Sequence, residues 1–174
     1  MKLGIFIGVG ILIIFSIICL SLIPKKRVVT KEYVIKKEIT EVWNIIRDIP
    51  TQKEWRSDIN DIKFISVENE IWQETNVNGI HTSFQTVRIE PPNLWVIKVV
   101  EPNYVQSNWS GQLQSTAEGT KLIFQESISV ESYFYRLLSY IFFDIDKQMN
   151  TYLKDLVTAL GETFDETKVR TTME

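Results

Sequence analysis

The sequence predicts an α+β chain in which an apolar N-terminal span precedes one domain, an antiparallel sheet packed on a long C-terminal helix. Three observations predict it. Leu3–Ile23 carries no charged residue and is rich in Ile, Leu and Phe, about the 20 apolar residues that match the hydrocarbon thickness of a bilayer. From Ile59 to Val130 the pattern is one of short alternating runs broken by turn residues. From Glu131 to Gly161 apolar residues recur at gaps of three, four and adjacent pairs, from Phe134 through Leu160, which is one broad helical stripe. A helix of about 30 residues is roughly 45 Å long, and its stripe needs a large apolar surface to lie on.

Composition narrows the function classes. The chain has 174 residues and a net charge of −3, so nucleic acid is not an expected partner. The only cysteine is Cys19, inside the apolar run, and the only histidine is His81. That leaves no disulfide framework and no soft-ligand metal site, and no cofactor or metal is expected. There is no Gly-rich phosphate loop, no GxSxG elbow and no HExxH. A cysteine nucleophile is absent from everything after residue 19.

The N-terminal run is too long for a signal-peptide core, and Leu20-Ser21-Leu22-Ile23-Pro24 lacks a small-x-small cleavage site. It reads as a retained transmembrane anchor over residues 1–24, making the chain a single-pass membrane protein. Lys25, Lys26, Arg27 and Lys31 follow the run and only Lys2 precedes it. The positive-inside rule then puts the domain on the cytoplasmic side; a signal anchor facing outward is the alternative. Gly4 and Gly8 have the small-xxx-small spacing that permits weak self-association.

The domain covers residues 25–161. Arg27–Lys37 is a strand, with Val28, Val29, Tyr33, Val34 and Ile35 among polar residues. Thr40 caps a helix bearing Val42, Trp43, Ile45, Ile46 and Ile49, and Pro50 ends it. Thr51–Ser57 forms one more helical turn around Trp55. Six strands follow: 61–68, 71–77, 80–90, 94–100, 105–115 and 120–130. Asn78-Gly79, Pro91-Pro92-Asn93, Glu101-Pro102-Asn103 and Ala117-Glu118-Gly119 separate them. Turns this short pair consecutive strands antiparallel. Gly161 suits the position just past the helix, and the polar tail 162–174 frays.

Several motifs carry a resemblance. They are Ile39-Thr40-Glu41-Val42-Trp43, Arg47-Asp48-Ile49, Trp55 with Ile59, Glu90-Pro91-Pro92, Trp109-Ser110-Gly111, Gly119-Thr120-Lys121-Leu122 and Tyr152-Leu153-Lys154-Asp155-Leu156. In this order they resemble the START-like helix-grip superfamily, also called SRPBCC, and most of all its polyketide cyclase/dehydrase and lipid-transport branch. The resemblance covers about residues 27–161. It implies a seven-stranded antiparallel sheet wrapped around the C-terminal helix, with a cavity between them that binds lipids, polyketides or other apolar molecules. The superfamily shares no catalytic motif, so none is carried over.

Alternation nominates the lining. Leu122, Phe124, Glu126 and Ile128 share one side of the last strand, Trp109, Gly111 and Leu113 one side of its neighbour, and Trp95, Ile97 and Val99 a third set. The ligand-binding candidates are Trp72, Phe84, Trp95, Trp109, Leu113, Phe124 and Glu126 on the sheet. On the helix they are Phe134, Leu138, Ile141, Phe142 and Ile145, whose aromatic half is expected to act as a lid. Glu126 is the candidate acid or base, since burial raises a carboxyl pKa, or else a solvated rim residue. His81 is the second candidate, or else a loop-edge residue in solvent. Thr82, Ser107 and Tyr140 offer further hydroxyls, and Asp144 and Asp146 read as solvated or paired with Lys147.

These features favour a membrane-anchored domain that binds an apolar small molecule or lipid as a carrier, without catalysis. Two alternatives stay open: a polyketide cyclase or dehydratase-like enzyme using Glu126, and a partner-binding domain with a dry core.

Overall fold

Strand alternation and one amphipathic helix account for the architecture seen in the computed structural model, which describes residues 22–174. The strands are β1 (Lys26–Ile35), β2 (Ile59–Ser66), β3 (Ile71–Asn76), β4 (His81–Glu90), β5 (Leu94–Glu101), β6 (Gln106–Thr116), β7 (Gly119–Ser129) and β8 (Arg170–Met173). The helices are α1 (Ile39–Arg47), α2 (Gln52–Trp55), α3 (Tyr133–Phe142) and α4 (Ile145–Ala159). The strands form one antiparallel sheet in the order β2-β3-β4-β5-β6-β7-β1-β8.

The core lies where α1 and α4 meet the inner face of the sheet. On β1, Val29, Tyr33 and Ile35 point inward; on β7, Leu122, Phe124 and Ile128 do. Opposite them α4 buries Ile145, Met149, Leu153, Leu156 and Val157, a stripe at helical spacing. Val42 and Ile46 do the same for α1. At about 1.5–3 kcal/mol for each fully buried aliphatic side chain, this stripe is the main reason α4 stays docked.

The structure departs from the sequence reading at four places. The single helix Glu131–Gly161 is two helices. Asp144 leaves the helical region (φ −90°, ψ 97°) and its carboxylate accepts the Lys147 backbone N–H, starting α4. An aspartate at an N-cap satisfies a donor that an unbroken helix would not leave free. Thr40, expected to cap α1, is not the cap; Glu38 occupies that position without a side-chain bond.

The tail 162–174 is not frayed. Its last strand extends the sheet to eight rather than seven, pairing with β1 from Val29↔Met173 to Glu32↔Arg170. Every residue of β8 is exposed, so no apolar pattern announces it. It is held by the ladder, by Phe164 against Tyr33 (ring centroids 5.6 Å apart), and by Lys31. The Lys31 ammonium, buried on β1, lies 2.5 Å from Asp146 of α4 and donates to Thr171 Oγ1 at 2.9 Å.

The expected membrane location is corrected. Among the described residues no helix is long and apolar enough to cross a membrane. The longest, α4, has 15 residues and carries Asp146, Lys147, Lys154 and Asp155. Most of the basic residues that follow the run make local contacts. Lys25 pairs with Glu131, Lys31 with Asp146 and Lys37 with Glu41. Arg27 donates to the carbonyls of Ser139 and Phe143 at the C-terminal end of α3, where a cation offsets the helix dipole. The run Leu3–Ile23, except Leu22 and Ile23, lies outside the described residues, as do Gly4 and Gly8.

Candidate functional site

Between strands β3–β7, the Gln52–Asp58 segment and α4 a cavity of about 80 Å³ remains. Phe84 of β4, Trp95 and Ile97 of β5, Trp109 of β6 and Phe124 of β7 supply its apolar wall. Met149, Tyr152 and Gln148 close it from α4. The rings are contiguous. Trp95 meets Trp109 edge-on at 5.7 Å, Trp109 meets Phe124 at 5.2 Å, and Tyr152 stands edge-on to both at 5.8 and 5.6 Å. Edge-to-face pairs at these distances add about 0.5–1.5 kcal/mol each beyond burial, so the wall is preorganised.

Gly111 explains how Trp109 is held. A Cβ at residue 111 would stand 2.5 Å from the Trp109 ring carbon Cη2. The tip of the indole therefore occupies the space that a side chain at residue 111, two residues along its own strand, would need.

Two polar groups interrupt the apolar lining. The first is Glu126, directly opposite Trp109 in the β6–β7 register. Ser107 Oγ donates a hydrogen bond to Glu126 Oε1. Oε2 has no protein partner among the described residues, and no cation pairs with the carboxyl. Burial pushes its pKa up from 4.5 to about 7, the Ser107 bond opposing the rise. Taking a carboxylate out of water disfavours its charge.

The second group is centred on Arg56, just past α2. Its Nε and Nη2 donate to the two carboxylate oxygens of Asp58 at 3.1 and 2.8 Å. Nη1 donates to Gln52 Oε1 at 3.0 Å and Glu74 Oε1 at 3.1 Å. The Trp72 indole N–H donates to the same Glu74 oxygen at 3.0 Å. Burial works against the Arg56 charge, but Glu74 and Asp58 overcome it and hold the guanidinium above its usual value. Burial raises the Tyr152 phenol, with Arg56 opposing and the two carboxylates adding to the rise. Asp155 of α4 accepts from both the backbone N–H and the hydroxyl of Ser57 at 2.7 Å, pinning this turn to the long helix.

Of the residues nominated from sequence, Phe84, Trp95, Trp109, Phe124 and Glu126 meet at the cavity. Trp72, Leu113 and Ile145 are core, 1%, 1% and 3% exposed. Phe134, Ile141 and Phe142 are exposed on the outer face of α3 and do not form a lid over the cavity; Leu138 of α3 does not line it either. The reason is the break at Phe143–Asp144, which ends the stripe that would have carried them over the sheet. His81 is exposed at the start of β4, its Nδ1 3.0 Å from Thr75 Oγ1. Tyr140 reaches the Pro24 carbonyl instead. Sequence reasoning missed Arg56, Asp58, Glu74 and Tyr152. Glu74 had a signal: it shares a strand face with Trp72. Among the described residues no group of three or more His, Cys, Asp or Glu side chains is placed to hold a metal ion.

No family model and no curated protein matches the chain. Solved structures do. Norcoclaurine synthase from Thalictrum, a point mutant in complex with a transition-state analogue, aligns with TM-score 0.62 and 12% identity over 78% of this chain and 93% of that one. The di-domain aromatase/cyclase StfQ of the steffimycin biosynthetic pathway aligns with TM-score 0.60 and 12% identity over 75% of this chain, which spans half of that protein. The protein XoxI from Bacillus cereus aligns with TM-score 0.56 and 14% identity over 78% and 95%. At these identities the likeness is one of fold alone, and the fold in common is the helix grip.

Proposed function

We propose that this helix-grip chain binds a small, largely apolar molecule in the cavity between its sheet and α4, as a carrier or sensor that leaves the molecule unchanged. One observation carries the reading. A continuous aromatic wall borders one carboxyl group that stands outside the Arg56 network, Glu126, and that group has one oxygen without a protein partner among the described residues. Apolar lining with a few oriented polar groups is the usual composition of a small-molecule site. The cavity is small beside the roughly 300–1,000 Å³ of drug-sized pockets, which favours a compact ring system. Titration of the full chain with naphthol, followed by tryptophan fluorescence, tests this. Saturable quenching that weakens in Trp109→Leu is expected. No saturable response up to the solubility limit overturns the reading.

The Glu126 pKa near 7 favours a second reading, a cyclase or dehydratase that uses this group as acid and base. A poly-β-ketone probe incubated with the full chain separates the two. Loss of water from the probe marks the enzyme, and recovery of unchanged probe marks binding alone.

A further inference from the structure

We infer that the ligand of this cavity is a cation, an ammonium group carried on a compact aromatic or aliphatic body, held between Glu126 Oε2 and the indole face of Trp109. The inference rests on the binding reading above and names its ligand class.

The fixed charges on the cavity wall do not cancel. Arg56 supplies one positive charge, while Asp58, Glu74 and Glu126 supply three carboxyl groups. Asp58 takes Nε and Nη2 of the guanidinium, and Glu74 with Gln52 takes Nη1. Four of the five guanidinium N–H groups of Arg56 are therefore committed to its own neighbours. Asp58 and Glu74 together exceed it by one negative charge before Glu126 is counted.

Glu126 is the unbalanced group. Among the described residues no lysine or arginine lies within ion-pair distance of it. Its sole protein partner, Ser107, engages Oε1. Oε2 is not among the buried polar atoms left without a partner, so it borders the open space of the cavity. A lone carboxyl in an apolar enclosure is costly as an anion, and an incoming ammonium removes that cost while making a charge-assisted hydrogen bond.

The aromatic wall suits the same guest. Trp109 and Glu126 are direct cross-strand partners on the inner face, and side chains so paired start about 5 Å apart at Cβ. An ammonium bonded to Oε2 then has indole, phenyl and phenol rings around it, the arrangement in which π faces attract a cation. A neutral alcohol makes the hydrogen bond but forgoes the charge. A carboxylate guest meets net negative charge.

Benzylamine, benzyl alcohol and benzoate share one ring and differ in charge. Each is titrated calorimetrically into the full chain at pH 8, where benzylamine is charged. The expected order is benzylamine about tenfold or more tighter than benzyl alcohol, with benzoate weakest. Glu126→Gln should bring benzylamine to the level of benzyl alcohol, and retained benzyl alcohol binding in that variant reports an intact cavity. Equal affinity for amine and alcohol, or a preference for benzoate, in the unaltered chain overturns the cation assignment and leaves the binding reading standing. If none of the three binds and naphthol does not quench, both fall.

Discussion

Replacing Glu126 by glutamine should make the fold more stable at high pH and leave it unchanged at low pH. The carboxyl pKa is about 7 in the folded chain against an ordinary 4.5. The folded state therefore holds this proton more tightly than the unfolded state does. Below about pH 4.5 both states are protonated and the group costs nothing. Between 4.5 and 7 stability falls as pH rises, and above 7 the full cost of a buried anion is present. At about 1.4 kcal/mol per pH unit, that cost is about 3 kcal/mol as an upper limit, reduced by whatever water enters the cavity. Glutamine keeps the shape, accepts the Ser107 hydrogen bond and never ionises. Urea unfolding of both proteins at pH 4, 5, 6, 7 and 8 gives the test. The difference in unfolding free energy should be near zero at pH 4 and grow to about 2–3 kcal/mol in favour of the variant by pH 8. A difference that does not vary with pH would refute a buried, unpaired carboxyl.

Other substitutions probe the neighbouring parts. Arg56→Met leaves Asp58 and Glu74 without their cation and should cost about 3–5 kcal/mol by denaturant unfolding. Leu153→Ala, in the buried stripe of α4, should cost about 2–5 kcal/mol in the same assay. Gly119→Ala places a methyl 2.2 Å from the Ile35 carbonyl oxygen at φ +129°. It should lower the melting temperature more than any change at an exposed strand position. Gly111→Ala displaces the Trp109 ring by contact with Cη2. Its expected signatures are an altered near-ultraviolet dichroism and weaker naphthol quenching, with far-ultraviolet dichroism retained.

Most of the sheet was legible because strand alternation and turn chemistry are local. Leu122, Phe124, Glu126 and Ile128 were placed on one face by counting in twos, and burial agrees for the three apolar members. Gly79 has the positive φ that its turn was expected to need. What escaped depends on side chains meeting across the fold. Arg56 and Glu74 are 18 positions apart and meet only because α2 packs beside β2, the partner of β3 in the sheet. Lys31 read as one more basic residue after an apolar run, yet it is buried against Asp146, 115 positions further on. The helix break was present in the sequence as Asp144, a good N-cap, but the apolar stripe runs through it and masked the stop.

The strand order has a consequence for synthesis. β1 precedes every other described strand in the chain, but its two neighbours in the sheet are β7 and β8. Lys26 waits for Ser129 and Val29 for Met173. As the chain emerges, the β2–β6 meander can pair by successive hairpins while β1 remains unpaired on both edges. Such long-range closures are slow, and an open apolar strand is prone to wrong partners. The buried Lys31 on that strand is costly for a self-pairing aggregate to desolvate. Its ion pair to Asp146 and its bond to Thr171 become available only when the last two segments arrive, so the charge that protects β1 early also fastens it at completion.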